Sequence, residues 1–422
     1  MSIQTYPKKG ASKQLILRAR NLRDLIRAQA SEAERLGHYV PELHRAFLEA
    51  GFYHLLTPAR YGGLETDLRT FAQIMIEIGR GDPGTAWCLC LGQGHALTTA
   101  THWPELAQHE AFLNDNGYFR ASHSFNPSGT AQRVDGGWLI NARSTYQSGV
   151  AYATHATVTV RAIDEHASKP AMLNAPARVG DFSSMVHVLI PAGKFSVSDD
   201  WGADRVFGMR ASGSNSVIVK DVVVPEHHIA RFGPEPALAG TIPGAILHDN
   251  PIYAGGPTVC FAQLELVVTT VGAARAALDE YEGLAKTKAP LTQGTAGLRF
   301  QDPFYQRDFG VAKMKTDAAE AIILHTAEAI DALCRDAVSG KREFDIAADN
   351  TFAGMILEAG EMACDAVDIL FRSSGTSASM ADQPMQRYLR DTAMYRTHRG
   401  SQYNATAQRY GAAALGASQD RS

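Results

Sequence analysis

Histidines and a serine in polar segments are the residues of this chain whose side chains could move protons or hold a ligand. The stretch Ser122–Gly149 contains His123 near its start and ends in YQSG (146–149), where a final glycine lets backbone approach a planar ligand closely. His95 follows a run of small residues, and His398 lies in an arginine-rich segment. An imidazole pKa of about 6.5 suits proton transfer near neutral pH. For each residue the alternative is structural: a satisfied core or helical histidine, or a serine bonded to local backbone.

Composition limits the classes of partner. The chain has 422 residues, 45% of them hydrophobic and 20% charged, and a net charge of −4. These values are typical of a globular protein of two or three domains without a nucleic-acid or anionic-membrane partner. Cys88 and Cys90 are two residues apart, which matches neither a C-x-x-C pair nor a zinc ribbon. We therefore expect reduced thiols, a cytoplasmic location, no membrane span and no metal site.

The elements that must position these residues follow the order helices, strands, helices. Asp135-Gly136-Gly137 is a hairpin signal between two apolar runs. Apolar residues at helical spacing precede and follow this β-rich region. The predicted helices are Lys13–Leu36, Pro41–Gly51, Leu68–Arg80, Gly84–Ala100, one starting at Pro104, Val259–Leu284, Phe309–Ala337, Asn350–Phe371 and Pro384–Gly411. The predicted strands are Thr130–Val134, Trp138–Ile140, Ala156–Arg161, Met185–Ile190 and Ser214–Val224, with an excursion loop at 166–181.

This order predicts an α+β fold in three parts. Residues 1–117 form an N-terminal helical domain, 118–228 a middle β-barrel or sandwich domain, and 229–422 a C-terminal four-helix bundle. The terminal helices are too long for their apolar faces to be buried by local contacts alone. We therefore expect subunits to associate through the bundle.

Four segments resemble the acyl-CoA dehydrogenase superfamily, and within it the oxygenase components of two-component, flavin-dependent (group D) monooxygenases. They are GDPGTAWCLCLGQGH (81–95), NPSGTAQRVDGGWLINARSTYQSG (126–149), WGADRVFGMRASGSNSVIVKDVVVPEHH (201–228) and LFRSSGTSASMADQPMQRYLRDTAMYRTH (370–398). They occur in the family's order across most of the chain. The resemblance implies the acyl-CoA dehydrogenase fold and a homotetramer.

A missing carboxylate separates the monooxygenases from the dehydrogenases. An acyl-CoA dehydrogenase needs a base, commonly in a Glu-Gly pair about ten residues past an Arg-Asp pair such as Arg390-Asp391. Here that place reads Arg399-Gly400, and a cation cannot abstract the proton. The family's other base position falls near Ala262, one turn from Glu265. The resemblance therefore favours the hydroxylases.

Such an oxygenase component takes diffusible reduced FMN or FAD from a separate NAD(P)H flavin reductase. It reacts the flavin with O2 to a C4a-hydroperoxyflavin, which hydroxylates a phenolic or other aromatic small molecule. Three requirements follow: the pocket excludes water, donors hold the flavin edge, and a base helps the phenol ionise. Unaided ionisation of a phenol of pKa about 10 costs about 4 kcal/mol at pH 7.

The resemblance also implies roles for individual residues. Ser148 is the expected hydrogen-bond donor at the reactive edge of the flavin. His398 and His123 are the candidate bases, the choice between them being open, and His95 is a further candidate for substrate contact. The expected flavin-binding set is Tyr146, Gln147, Ser148, Trp201, Arg210, Ser212, Ser214, Arg372 and Gly375, the last two reaching a neighbouring subunit's flavin.

Three further interpretations compete with the aromatic hydroxylase. A nitrogen or sulfur hydroxylase would share the oxygen chemistry and differ in its substrate. An acyl-CoA dehydrogenase would use a displaced base such as Glu265 and hold oxidised FAD tightly. A non-catalytic scaffold would bind no flavin in either redox state.

Overall fold

The computed structural model describes residues 9–163, 184–232, 242–291 and 296–416. The predicted excursion loop at 166–181 lies outside these residues. Helices occupy both ends of the described chain and strands its centre, as predicted. The N-terminal helices are α1 (Lys9–Leu36), α2 (Pro41–Glu49), α3 (Leu68–Gly79), α4 (Pro83–His102) and α5 (Glu105–Phe112). The C-terminal helices are α6 (Pro243–Leu247), α7 (Val259–Thr287), α8 (Pro303–Val338), α9 (Ile346–Ser374), α10 (Pro384–Thr397) and α11 (Tyr403–Ala414).

The strands between them form one mixed sheet. They are β1 (Ala121–Ser124), β2 (Gly129–Val134), β3 (Gly137–Ser144), β4 (His155–Ile163), β5 (Met185–Pro191), β6 (Ser196–Val197), β7 (Val217–Val224) and β8 (Ile229–Ala230). The order is β6-β7-β3-β2-β4-β5-β8, and β1 pairs with β4 in parallel, His123 opposite Thr157. The predicted hairpin is confirmed as β2 and β3. Of the predicted β-rich segment Ser214–Val224, residues 217–224 form β7, and residues 214–216 belong to a polar turn before it.

The polar ends of the helices explain where they start. The Asp82 carboxylate accepts a hydrogen bond from the Thr85 N–H, and Pro83 occupies the first turn of α4. Asp67 and Asp345 cap α3 and α9 in the same way. The Asp82 cap fixes where α4 begins. Residues 83–97 of α4 are all buried, and they include Trp87 and His95.

The N-terminal helices and the bundle share one apolar core, and the sheet has a second. The helix α7 lies at the centre of the first core. By length and composition alone α7 could cross a membrane, but 83% of its most apolar window is buried against the protein. This burial is typical of the core helix of a bundle. The three-part division at residues 117 and 228 stays a prediction.

The predicted helix Pro384–Gly411 is wrong as a single element. The helix α10 ends at Thr397, and His398 has extended backbone (φ −66°, ψ 143°). A short 3-10 helix, Arg399–Ser401, then leads into α11. The His398 ring accepts a hydrogen bond from the Gly400 N–H at 3.0 Å, so side chain and backbone together stabilise the break. His398 therefore lies at a corner between two helices, not on a helix face.

Candidate active site

Two hydrogen-bonded turns carry the serines predicted to meet a flavin. The Gly149 N–H donates to the Ser212 carbonyl at 3.1 Å, and the Val150 N–H donates to the Gly213 carbonyl at 3.2 Å. Gly149 and Gly213 both have positive φ, 77° and 62°, which permits these tight paths. The segments 146–149 and 212–216 thus lie side by side, although the sheet separates them in sequence.

The side chains of these turns form a chain of hydroxyl groups. Ser148 Oγ lies 2.8 Å from Ser214 Oγ, which lies 2.7 Å from Ser212 Oγ. The indole N–H of Trp87 donates to Ser148 Oγ at 3.2 Å. When protons run from Ser212 to Ser214 to Ser148, both lone pairs of Ser148 are occupied and its own O–H is available to a ligand. This arrangement fits the donor role predicted for Ser148.

Aromatic rings surround the same turn. Tyr146 has φ 58° and is 59% exposed, and its ring meets Trp201 edge-on at 5.9 Å. Trp201 is buried, and its indole N–H donates to the Met209 carbonyl at 3.0 Å. Arg210 bonds the Val206 carbonyl through Nε. The exposed Tyr146 ring and the Ser148 hydroxyl can face a planar cofactor, and Arg210, two residues before Ser212, carries a guanidinium that can pair with phosphate.

Some predicted flavin contacts lie elsewhere. The Gln147 side chain is fully buried and donates to Ser144 Oγ at 2.7 Å and to the Thr157 carbonyl at 3.1 Å, so it stabilises the turn from inside. Arg372 is exposed at the end of α9 and pairs with Asp368 one turn away. Gly375 directly follows α9. Within one chain the structure does not bring Arg372 or Gly375 to the serine turns.

His398 lies beside Trp87, which in turn contacts Ser148. The rings of His398 and Trp87 meet edge-on with centroids 5.4 Å apart. Although part of the His398 ring is exposed, desolvation by the surrounding protein, with a contribution from Arg399, lowers its pKa to about 4. Because the Gly400 N–H occupies Nδ1, the proton of the neutral ring is on Nε2. In this tautomer His398 is a donor through Nε2.

A second histidine group lies eight residues further along α4. His95 Nδ1 is 2.8 Å from the Ala121 carbonyl, and the His95 ring lies 5.5 Å from the His123 ring. Burial lowers the pKa of His95 to about 4 and that of His123 well below its ordinary value. Both rings are therefore neutral at pH 7. The distance along α4 from Trp87 to His95 is about 12 Å.

The tautomer of His123 follows from the partners of His187. His187 Nε2 lies 3.1 Å from the Phe232 carbonyl, which can only accept, so Nε2 carries the proton of this neutral ring. The Thr159 hydroxyl lies 3.1 Å from His187 Nδ1, but its proton points to the Ser124 carbonyl at the shorter distance of 2.7 Å. The remaining donor to His187 Nδ1 among the described residues is His123 Nε2, at 3.3 Å. His123 therefore keeps an unprotonated Nδ1.

The sequence interpretation missed Trp87 and His187. Trp87 lies within a quoted motif, but its contacts with both Ser148 and His398 depend on the fold. His187 is the single polar residue of MVHVLIP (185–191), and burial lowers its pKa to about 4. A lone histidine in an apolar strand is a weak signal of this role.

Comparison with known proteins identifies the family and the fold. The family models described as acyl-CoA dehydrogenase N-terminal and C-terminal domain match residues 17–115 and 264–403. A "Pigment production hydroxylase" from Rhodococcus sp. (strain ATCC 21145) is 30% identical over 377 residues, 88% of each chain. A "FADH(2)-dependent resorcinol hydroxylase, oxygenase component" from Rhizobium sp. (strain MTP-10005) is 25% identical, covering 95% of this chain and 94% of that protein. The crystal structure of 3-HSA hydroxylase from Rhodococcus sp. RHA1 superposes with a TM-score of 0.82 and 27% identity, covering 96% and 97% of the two chains.

The chain belongs to the flavin-dependent monooxygenases of the acyl-CoA dehydrogenase superfamily. The predicted family and fold are confirmed. It is an enzyme of the oxygenase-component class, and the competing dehydrogenase and scaffold interpretations are not supported. As a monooxygenase of this class it depends on reduced flavin, and the choice of FMN or FAD stays open.

Proposed function

We propose that this monooxygenase hydroxylates a phenolic or other aromatic small molecule, using reduced FMN or FAD from a separate NAD(P)H flavin reductase. The observation that carries the proposal is the row Trp87, Leu91 and His95 on α4. Ser148 and His398 contact the Trp87 end of this row, and His123 contacts the His95 end. A donor for a cofactor and an acceptor for a phenol thus lie at opposite ends of this row of side chains, which is about 12 Å long.

Ser148 would hold the cofactor at its end of the row. The hydroxyl O–H that the serine chain leaves available would donate to the flavin, and Tyr146 and Trp201, whose rings are in contact, would help to hold it. Bound reduced flavin supplies two electrons and activates O2. One oxygen atom replaces a ring hydrogen as a hydroxyl group, and the other leaves as water.

The two histidines take different roles in this proposal. His398 would donate a hydrogen bond to a bound ligand through Nε2, because its Nδ1 already accepts one from the Gly400 N–H. His123 accepts through its unprotonated Nδ1 and orients the phenol O–H. Full proton transfer from a phenol of pKa about 10 to a ring whose pKa lies below 6.5 would cost more than about 5 kcal/mol. We therefore assign His123 the role of a hydrogen-bond acceptor that polarises the phenol.

The part of the site that a neighbouring chain would supply stays a prediction. Arg372 is 75% exposed and lies outside the serine turns of its own chain, so a contact with flavin requires another subunit. The homotetramer expected from the family resemblance would provide one. Exposed apolar side chains on α8, Phe304 and Met314, support association. Light scattering on the purified chain measures the subunit number.

Isotope labelling in single turnovers tests the proposed function. The chain is mixed anaerobically with reduced FMN or FAD and a panel of phenols, and then with 18O2. We expect at least one phenol to gain a single 18O atom, with one of the two flavins giving the higher yield. Reoxidation at the rate of free flavin with no labelled product from any phenol would contradict the aromatic substrate class. Labelled product from amines or sulfides alone would favour the nitrogen or sulfur alternative.

A further inference from the structure

Two adjacent histidines and a distant glutamate converge outside the proposed active site. His227 and His228 lie in a 3-10 helix, Glu226–His228, directly after β7, and Glu110 lies on α5. His228 Nε2 is 2.7 Å from Glu110 Oε2, and His227 Nε2 is 3.1 Å from the same oxygen. The potential ligand atoms of all three residues lie within 4.8 Å of one another. Two imidazole nitrogens thus point at one carboxylate.

We propose that Glu110, His227 and His228 form a binding site for a divalent cation of the Zn2+ class. Two imidazoles and one carboxylate are the donor set of zinc sites that keep a position open to water. The donors are nitrogen and oxygen, which favours Zn2+ over Ca2+ or Mg2+. The site links α5 of the helical region to the end of β7.

The geometry requires a small adjustment. Zinc–ligand bonds of about 2.1 Å place tetrahedral ligand atoms about 3.4 Å apart, so Glu110 must withdraw slightly from His228. Its side chain is 46% exposed and free to do so, whereas His228 is 8% exposed and fixed. The indole N–H of Trp103 donates to the His228 carbonyl at 3.0 Å and holds its backbone. The fixed His228 and the two more exposed residues, His227 and Glu110, can therefore close around an ion.

Metal binding requires a change of tautomer at His228, in which a bond to the cation replaces the Nε2–H hydrogen bond to Glu110. In the hydrogen-bonded state both Nε2 atoms are protonated, and metal binding moves these protons to Nδ1. His228 Nδ1 is buried and has no hydrogen-bond partner among the described residues. Protonating it therefore breaks no existing hydrogen bond. The carboxylate of Glu110 exchanges two hydrogen bonds for a bond to the cation.

Calorimetry on the untagged, metal-stripped chain tests the site. We expect Zn2+ to bind with one equivalent that is lost in His227→Ala. The matched control is His109→Ala, which removes the exposed histidine next to Glu110 and should titrate like the natural chain. Saturating Zn2+ should raise the midpoint of thermal unfolding of the natural chain and of His109→Ala, and leave that of His227→Ala unchanged.

A second variant separates metal binding from folding. Glu110→Gln keeps a hydrogen-bond acceptor for the histidines and is a poor zinc ligand, so it should fold and lose the site. Absence of a one-equivalent phase in the natural chain would overturn the proposal. Equal titrations for His227→Ala and His109→Ala would do the same, because the bound zinc would then be adventitious.

Discussion

At the scale of single residues, Ser148 is the side chain on which the proposed cofactor contact depends. Its hydroxyl lies between Trp87 and Ser214. We expect Ser148→Ala to lower the rate of product formation about tenfold to a hundredfold, since a hydrogen bond to a group that gains charge is worth about 1.5–3 kcal/mol. Peroxide release per flavin oxidised should rise in parallel. Ser128→Ala, whose hydroxyl bonds the Thr159 carbonyl outside this chain of serines, is the control and should leave both quantities unchanged.

His187 gives a second prediction at this scale, because it sets the tautomer of His123. His187→Phe removes the acceptor of the His123 Nε2–H, whereas His187→Asn places an amide oxygen near the position of Nδ1. We expect the KM for the phenol to rise about fivefold to tenfold in His187→Phe, equivalent to about 1 kcal/mol, with less change in kcat. His187→Asn should recover most of the loss. Equal defects in both variants would reduce His187 to a packing role.

At the scale of elements, the crossing of α3 and α7 depends on two glycines. A Cβ built on Gly272 would lie 2.7 Å from the Gly79 Cα, and backbone on both sides prevents relief. We expect Gly272→Ala to lower the free energy of unfolding by about 1–3 kcal/mol through overpacking. On the same helix, Gly283→Ala meets nothing within 4 Å and should raise it by about 0.5–1 kcal/mol. Urea unfolding of the pair measures the difference. A decrease of the same size in the free energy of unfolding of both variants would contradict the close crossing of α3 and α7.

The sequence alone was sufficient to predict most elements but not the way they meet. Capped, periodic helices such as α4 and α9 and the turn between β2 and β3 are local features, and the structure confirms them within a few residues. The break at His398 was missed because it depends on a side-chain hydrogen bond, which apolar spacing does not reveal. The pairing of 146–149 with 212–216 and the partners of His123 are long-range contacts. The sequence named candidate residues for the site, which stay predictions, but it could not give their long-range contacts or their tautomers.

At the scale of the whole molecule, buried neutral histidines make stability depend on pH. Examples among the described residues are His95, His155, His187 and His248, whose pKa burial lowers to about 4, and His102, whose pKa it lowers to about 3. Above pH 6.5 these rings are neutral in both folded and unfolded chains. Between pH 6.5 and 4 these histidines bind protons in the unfolded chain but not in the folded chain, so their contribution to the free energy of unfolding falls as pH falls. Each histidine contributes at most about 1.4 kcal/mol per pH unit.

A variant of His155 tests this effect. His155 lies in the sheet, outside the proposed active site, and its Nδ1 is 3.0 Å from Thr154 Oγ1. We expect His155→Phe to lose less stability, measured as the midpoint of thermal unfolding, than the natural chain when the pH is lowered from 7 to 5, because it has one fewer ring to protonate on unfolding. His109→Phe removes an exposed histidine and should follow the natural chain. Parallel curves for the natural chain and His155→Phe would exclude His155 as a source of the acid sensitivity.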